Sequence, residues 1–210
     1  MSKLTPSLLA ANTLYLGEAV RRARDAGCDA LHLDIMDGAF VRNLSFGPAL
    51  VKDLRRETDQ YLDVHLMLRR PLDFIDVFVK NGANGVTVHE EAEGFAQALE
   101  RIRALGAHAG ASLKPATPAS TLAPHLDALD RVLLMTVEPG FGGQTLMEDV
   151  LGKARELRAL GFAGEIEADG GITAKNAPLL ARMGVNRLVM GTAFFSASDP
   201  RLLVKIVGAL

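Results

Sequence analysis

The stretch Arg24-Asp25-Ala26-Gly27-Cys28-Asp29-Ala30-Leu31-His32-Leu33-Asp34-Ile35 holds a helix end, a glycine and a strand in close succession. Gly27 falls where a helix C-terminus favours a residue tolerant of positive φ. The run 30–35 that follows reads as a strand. The same unit recurs at Lys80-Asn81-Gly82, Ala104-Leu105-Gly106, Ala159-Leu160-Gly161 and Arg182-Met183-Gly184, each with a strand a few residues on. Helix–Gly–strand units in series imply parallel strands, because each strand is re-entered from the same end. The β-rich runs are 6–10, 30–35, 62–66, 85–89, 109–113, 131–136, 165–169 and 187–191, each followed by a stretch able to hold a helix. About eight such units with no second composition regime predict an α/β chain folded as a single (β/α)8 TIM barrel over residues 1–210. An open doubly wound sheet is the alternative, but no Gly-x-Gly-x-x-Gly follows the first strand.

The bulk properties agree. At 210 residues the chain is short for a barrel, which typically runs to about 250, so short loops are expected. Lys plus Arg number 23 and Asp plus Glu 25, a balance that argues against a nucleic-acid surface. No apolar run is long enough for a membrane span, and 1–10 does not read as a signal peptide. The single cysteine, Cys28, permits no internal disulfide and reads as a small buried residue in a protein of the reducing cytoplasm. The last helix, 200–210, is expected to pack Leu202, Leu203, Ile206 and Val207 from one face.

In a barrel, active sites collect at the C-terminal ends of the strands. Strand alternation sends Leu31, Leu33 and Ile35 toward the covering helices, and His32, Asp34 and Met36 toward the axis. In the third strand Val64 and Leu66 face out, while Asp63, His65 and Met67 face in. Ionisable groups aimed inward are costly unless paired or bound to metal. One His–Asp pair can satisfy itself, but a second inward histidine on the neighbouring strand favours a shared site. Asp169 ends the seventh strand. His32, Asp34, His65 and Asp169 converging on one axis suit one divalent transition metal ion: Zn2+, Fe2+, Co2+ or Mn2+. His89, at the end of the fourth strand, is not read as a ligand, and His108 and His125 are expected at the surface.

Three small-residue turns lie at adjacent strand ends: Glu138-Pro139-Gly140-Phe141-Gly142-Gly143-Gln144, Gly170-Gly171 and Gly191-Thr192. Such turns let backbone N–H groups approach an anion, and barrels often hold phosphate after strands seven and eight. A metal with two carboxylates beside a phosphate pocket suits proton transfer next to a carbonyl, with the ion stabilising an enediolate. Carboxylates on opposite faces of a substrate can exchange base and acid roles, the logic of an epimerase. These residues alone also permit an aldolase or another isomerase.

The blocks His32-Leu33-Asp34-Ile35-Met36-Asp37-Gly38, Asp63-Val64-His65-Leu66-Met67, Met135-Thr136-Val137-Glu138-Pro139-Gly140-Phe141-Gly142-Gly143-Gln144 and Glu167-Ala168-Asp169-Gly170-Gly171-Ile172 resemble the signature blocks of ribulose-phosphate 3-epimerases. Pro6-Ser7-Leu8-Leu9 and Lys114-Pro115-Ala116-Thr117-Pro118 fit as well, so the resemblance runs along the whole chain. It implies interconversion of D-ribulose 5-phosphate and D-xylulose 5-phosphate in the pentose phosphate pathway, by metal-assisted two-base proton transfer at C3. Epimerisation of another ketose phosphate, such as D-allulose 6-phosphate, stays open. So does a metal-free barrel that only binds a phosphorylated ligand.

By this resemblance His32, Asp34, His65 and Asp169 bind the metal, and Asp34 and Asp169 are the catalytic acid/base pair. Ser7 and His65 touch substrate oxygens. Gly140, Phe141, Gly142, Gly143, Gly170, Gly171, Gly191 and Thr192 form the phosphate-holding loops, and Met36, Met67 and Met135 line the pocket. Lys114 and Glu138 are expected to pair near its mouth. The family's habit of forming dimers or hexamers implies a homo-oligomer. The chain departs from the family pattern at Ala39 and Arg42, where a His and a Pro are usual, and at Thr192, which keeps the hydroxyl of the usual Ser. Arg42 is expected in solvent.

Overall fold

The computed structural model describes residues 1–210. Its strands are β1 (Lys3–Pro6), β2 (Ala30–Met36), β3 (Tyr61–Met67), β4 (Gly85–His89), β5 (His108–Leu113), β6 (Arg131–Met135), β7 (Glu165–Asp169) and β8 (Arg187–Met190). All pair in parallel, in the order β1-β8-β7-β6-β5-β4-β3-β2. A parallel bridge between Ser7 and His32 joins the two ends and closes the ring. The helices between strands are α1 (Leu16–Ala26), α2 (Pro48–Glu57), α3 (Ile75–Lys80), α4 (Phe95–Ala104), α5 (Gly152–Ala159), α6 (Ala177–Arg182), the short α7 (Thr192–Phe195) and α8 (Pro200–Gly208). The expected (β/α)8 barrel is the fold observed. No helix is long and apolar enough to cross a membrane.

The glycines expected to end helices do so. Gly27, Gly82, Gly106, Gly161 and Gly184 all have positive φ, between 76° and 108°. Leu31, Leu33, Ile35, Val64 and Leu66 join the apolar layer between sheet and helices. That layer buries whole strands, which is why β2 and β3 read as near-continuous apolar runs interrupted only by their inward polar residues.

Three expectations differ from the structure. The first strand lies at Lys3–Pro6 rather than 6–10, because the Ser7 hydroxyl accepts from Leu9 N–H and turns the chain into a 3-10 segment at Leu8–Ala10. The helix expected after β5 is a 3-10 segment, Ala119–Ala128, with Pro124 inside it. That proline lacks the N–H an α-helix would use there. In α8 only Leu203 and Val207 are buried, while Leu202 and Ile206 stay exposed.

Cys28 is buried as expected, and burial, with the charge of Asp29, pushes its thiol up to about 12. Such a thiol is inert at neutral pH.

Strand register aligns the inward residues in tiers. His32 pairs with Asp63, Asp34 with His65, and Met36 with Met67 across β2 and β3. Met135 pairs with Asp169 across β6 and β7. Below them, toward the N-terminal ends of the strands, Arg131 pairs in register with Glu165 and Arg187 with Glu167.

Candidate active site

At the C-terminal ends of the strands a cavity of about 520 Å³ opens, a size suited to a small ligand. Ser7, Asp34 and Asp169 line its floor together with Met36, Met67 and Met135. Gly140, Phe141, Gly142, Gly143, Gly170, Gly171, Gly191 and Thr192 line its other side. His65, expected also to touch substrate oxygens, is fully buried behind Asp34 and is not part of the cavity wall.

His32, Asp34, His65 and Asp169 each offer one donor atom, and these atoms lie within 4.8 Å of one another. Strand alternation explains how they meet, since each side chain leaves an inward position near a strand's C-terminal end. The surroundings fix their orientation. Asp63 Oδ2 lies 2.7 Å from His32 Nδ1, and an ionised carboxylate only accepts, so Nδ1 carries the proton. The other ring nitrogen, Nε2, is buried with no hydrogen-bond partner and lies 3.4 Å from Asp34 Oδ1. A buried unpartnered imidazole nitrogen facing carboxylates, with a carboxylate behind the ring, is the arrangement of a metal-ligating histidine. The donor set therefore fits a divalent cation, and imidazole with carboxylate suits Zn2+, Fe2+, Co2+ or Mn2+.

Asp34 also accepts from the Ser7 hydroxyl at 2.6 Å and lies 3.3 Å from His65 Nδ1. Asp169 is held through its backbone, because Thr136 N–H and the Thr136 hydroxyl both donate to its carbonyl, at 2.7 and 2.9 Å.

The chain's own charges set the two carboxyl groups apart. Burial works to raise Asp34, but the charge of His32, followed by the nearby His65, outweighs it and holds the group well below the usual carboxylate range. Asp169 is pushed up to about 7, first by burial and then by the charge of Asp34. Burial disfavours a charged His32, yet Asp34 and Asp63 overcome it and raise its pKa well above the ordinary value. The same anionic surroundings that draw a proton onto His32 would favour a cation in its place.

Several supporting residues went unassigned from sequence. Asp37 accepts from Ala39 N–H, Phe40 N–H and Arg69 N–H, each at 2.8 Å, and so ties the loop after β2 to the end of β3. An Asp before Gly at a strand end is the signal that points to such a turn. His89 and Glu91 stand behind His65, and nothing in their spacing showed that they are joined to it. Burial first, with the charges of His65 and Lys114 adding to it against the pull of Glu91, lowers His89 to about 4, so the ring is neutral. Hydrogen bonds from His89, Thr117 and Lys114 N–H overcome burial to lower Glu91 to about 2.

Lys114 and Glu138 do not pair. Lys114 Nζ lies over the Phe40 ring, 3.9 Å from its centroid, while the Glu138 carbonyl accepts from Gln144 Nε2 at 2.7 Å. The aromatic face holds the ammonium where a carboxylate was expected. Arg42 is exposed and His125 partly so, and His108 is exposed beside Tyr61.

Comparison with known proteins gives this geometry a context. The chain is 43% identical over 213 residues to ribulose-5-phosphate-3-epimerase, chloroplastic, of Arabidopsis thaliana, covering 98% of this chain and 76% of that one. It is 41% identical over 207 residues to ribulose-phosphate 3-epimerase of Bacillus subtilis, covering 95% and 94%. Among solved structures, 3-hexulose-6-phosphate synthase superposes with a TM-score of 0.73 at 18% identity, over 99% of this chain and 98% of that one. At that identity the likeness shows the barrel alone. The profile of the ribulose-phosphate 3 epimerase family matches residues 3–195, and with relatives this similar over nearly the whole of this chain, the chain belongs to that family.

Proposed function

We propose that the chain interconverts D-ribulose 5-phosphate and D-xylulose 5-phosphate by moving the C3 proton between Asp34 and Asp169. The observation that carries this reading is the placement of both carboxyl groups, with opposed pKa shifts, on the floor of one cavity and within 4.8 Å of two buried imidazoles. His32, Asp34, His65 and Asp169 would hold the divalent cation. When bound, it supplies a Lewis acid that polarises the carbonyl beside C3 and stabilises the negative charge that develops there.

The chain's residues do the rest. Asp34, ionised and steadied by the Ser7 hydroxyl, takes the proton from one face of C3. Asp169 returns one from the other face, and the roles exchange in the reverse direction. Met36, Met67 and Met135 give the reacting carbon an apolar surround that keeps water from delivering a proton nonspecifically. The phosphate sits against the glycine turns, where α7 starts at Thr192 with no side chain capping its N-terminus.

Incubation of the Zn2+- or Co2+-loaded protein with D-ribulose 5-phosphate in D2O is expected to place deuterium at C3 of both epimers, read by NMR. Absence of label at C3 would end this assignment. Label gained only with D-allulose 6-phosphate would move it to a six-carbon substrate.

The phosphate reading has its own test. Gly171 has φ +65°, and a Cβ there would stand 2.7 Å from the Gln144 carbonyl oxygen and press on Leu146 N. Gly171→Ala must therefore shift the loop, at a cost of about 1–3 kcal/mol. The expected result is a KM roughly tenfold or more higher, with kcat changed far less. An unchanged KM would remove this turn from the phosphate site.

A further inference from the structure

A line of hydrogen bonds runs away from the cavity behind His65. His65 Nε2 lies 2.9 Å from His89 Nε2, and His89 Nδ1 lies 3.1 Å from Glu91 Oε2. The other Glu91 oxygen accepts from Lys114 N–H at 2.9 Å and from the Thr117 hydroxyl. His65 and His89 are both fully buried, and the Phe40 ring packs over His89 with centroids 4.8 Å apart.

Proton positions along this line follow from what each group can do. Two imidazole nitrogens that face each other must share one proton, because two lone pairs repel and two N–H groups collide. Glu91 decides which ring supplies it. A carboxylate only accepts, so His89 Nδ1 must donate to it, which leaves His89 Nε2 as an acceptor. His65 must then donate from Nε2. Its Nδ1 keeps a free lone pair, and this is the atom that lies 3.3 Å from Asp34 Oδ1.

We propose that Glu91 and His89 are positioning residues that fix the tautomer of His65 and thereby set the affinity of the cluster for a divalent cation. The proposal rests on reading His32, Asp34, His65 and Asp169 as a metal site. If Glu91 served only to brace the turn at Lys114 and Thr117, its replacement would change stability and leave the His65 tautomer alone.

The test uses the full chain, with two readouts that do not involve turnover. Ring 15N chemical shifts report the His65 tautomer in the metal-free protein, and competition with a chromophoric chelator reports Zn2+ affinity. In Glu91→Gln the amide has one acceptor oxygen. With that oxygen kept by Lys114 N–H and Thr117, the NH2 faces His89, both rings reverse, and His65 Nδ1 turns a proton toward the cluster. The expected result is that reversed tautomer, with Zn2+ affinity lower by on the order of 10- to 100-fold. Unchanged tautomer and affinity would overturn the proposal.

Should Glu91→Gln fail to fold, His89→Gln and His89→Leu decide the matter. Gln can present an oxygen near the place of His89 Nε2 and is expected to keep near wild-type affinity, whereas Leu is expected to lose roughly tenfold or more. Equal affinities in the two variants would overturn the relay. A wild-type chain that binds no Zn2+ would instead sink the metal reading, while the 15N shifts would still decide the tautomer.

Discussion

Asp169→Asn is expected to slow epimerisation by on the order of 10²- to 10⁴-fold, measured as kcat in both directions, with the barrel intact. An amide at this position keeps the shape of the side chain but can neither take up nor release a proton at neutral pH. The backbone that positions it is held by Thr136 rather than by its own carboxyl group, so the loop after β7 should stay in place. Asp34→Asn is expected to be at least as damaging, because Asp34 also accepts from Ser7 and lies between both imidazoles.

The two variants separate proton removal from inversion. If one carboxyl group serves each face of C3, as proposed, loss of either leaves a partner that can still reach one epimer. In D2O each variant should slowly exchange the C3 proton of one epimer and return that same epimer labelled. The two variants should favour opposite epimers. Substantial epimerisation in either variant, or exchange of the same epimer by both, would refute the division of roles between Asp34 and Asp169.

Much of this arrangement was legible in the sequence because it follows from local rules. The helix-ending glycines mark the repeat, and each adopts the positive φ its position suggested. Strand alternation alone sends His32, Asp34, His65 and Met67 inward, and the observed register sets Asp34 beside His65. Contacts that depend on how far the chain has turned around the barrel could not be read this way. His89 and Glu91 are close in sequence, but their junction with His65 and with the turn after β5 arises from three strands meeting. The missing Lys114–Glu138 pair has the same origin, since only the closed ring shows that the Phe40 ring lies under the ammonium. The strand ends at Pro6 and Met190 were misplaced for a different reason. Gly191 leaves the ladder for a turn, and Ser7 keeps only its bridge to His32 before the chain enters the 3-10 segment, and apolar pattern registers neither change.

The lower barrel was the larger omission, and it carries the second strong expectation. Arg131 and Arg187 open their strands and read there as boundary residues, yet both are buried against Glu165, Glu167, Asp63 and Asp29. Burial first, then the Asp63 charge, pushes Glu167 up to about 8, so it is neutral at pH 7. For Asp63, Arg131 and His32 overcome burial and hold the group below its ordinary range. Arg131→Met would leave Asp63 charged and short of its main counterion in the barrel interior. The expected loss is about 3–5 kcal/mol at pH 7, measured by urea unfolding. Glu167→Gln, which replaces a neutral group by a neutral one, should cost about 1 kcal/mol or less.

The pH dependence has a definite sign. Asp63 has a depressed folded pKa, so in the parent chain its stabilisation is present above the unfolded value and is lost as pH falls through the folded one. Without Arg131 that stabilisation is gone, and the gap between parent and variant should therefore narrow toward acid pH. A gap that stayed constant would show that packing, not charge, is what Arg131 contributes. Because the same Asp63 holds His32 Nδ1 at 2.7 Å and would lose its neutralising guanidinium, the variant is also expected to tighten Zn2+ binding, linking the charge balance at one end of the barrel to the cation site at the other.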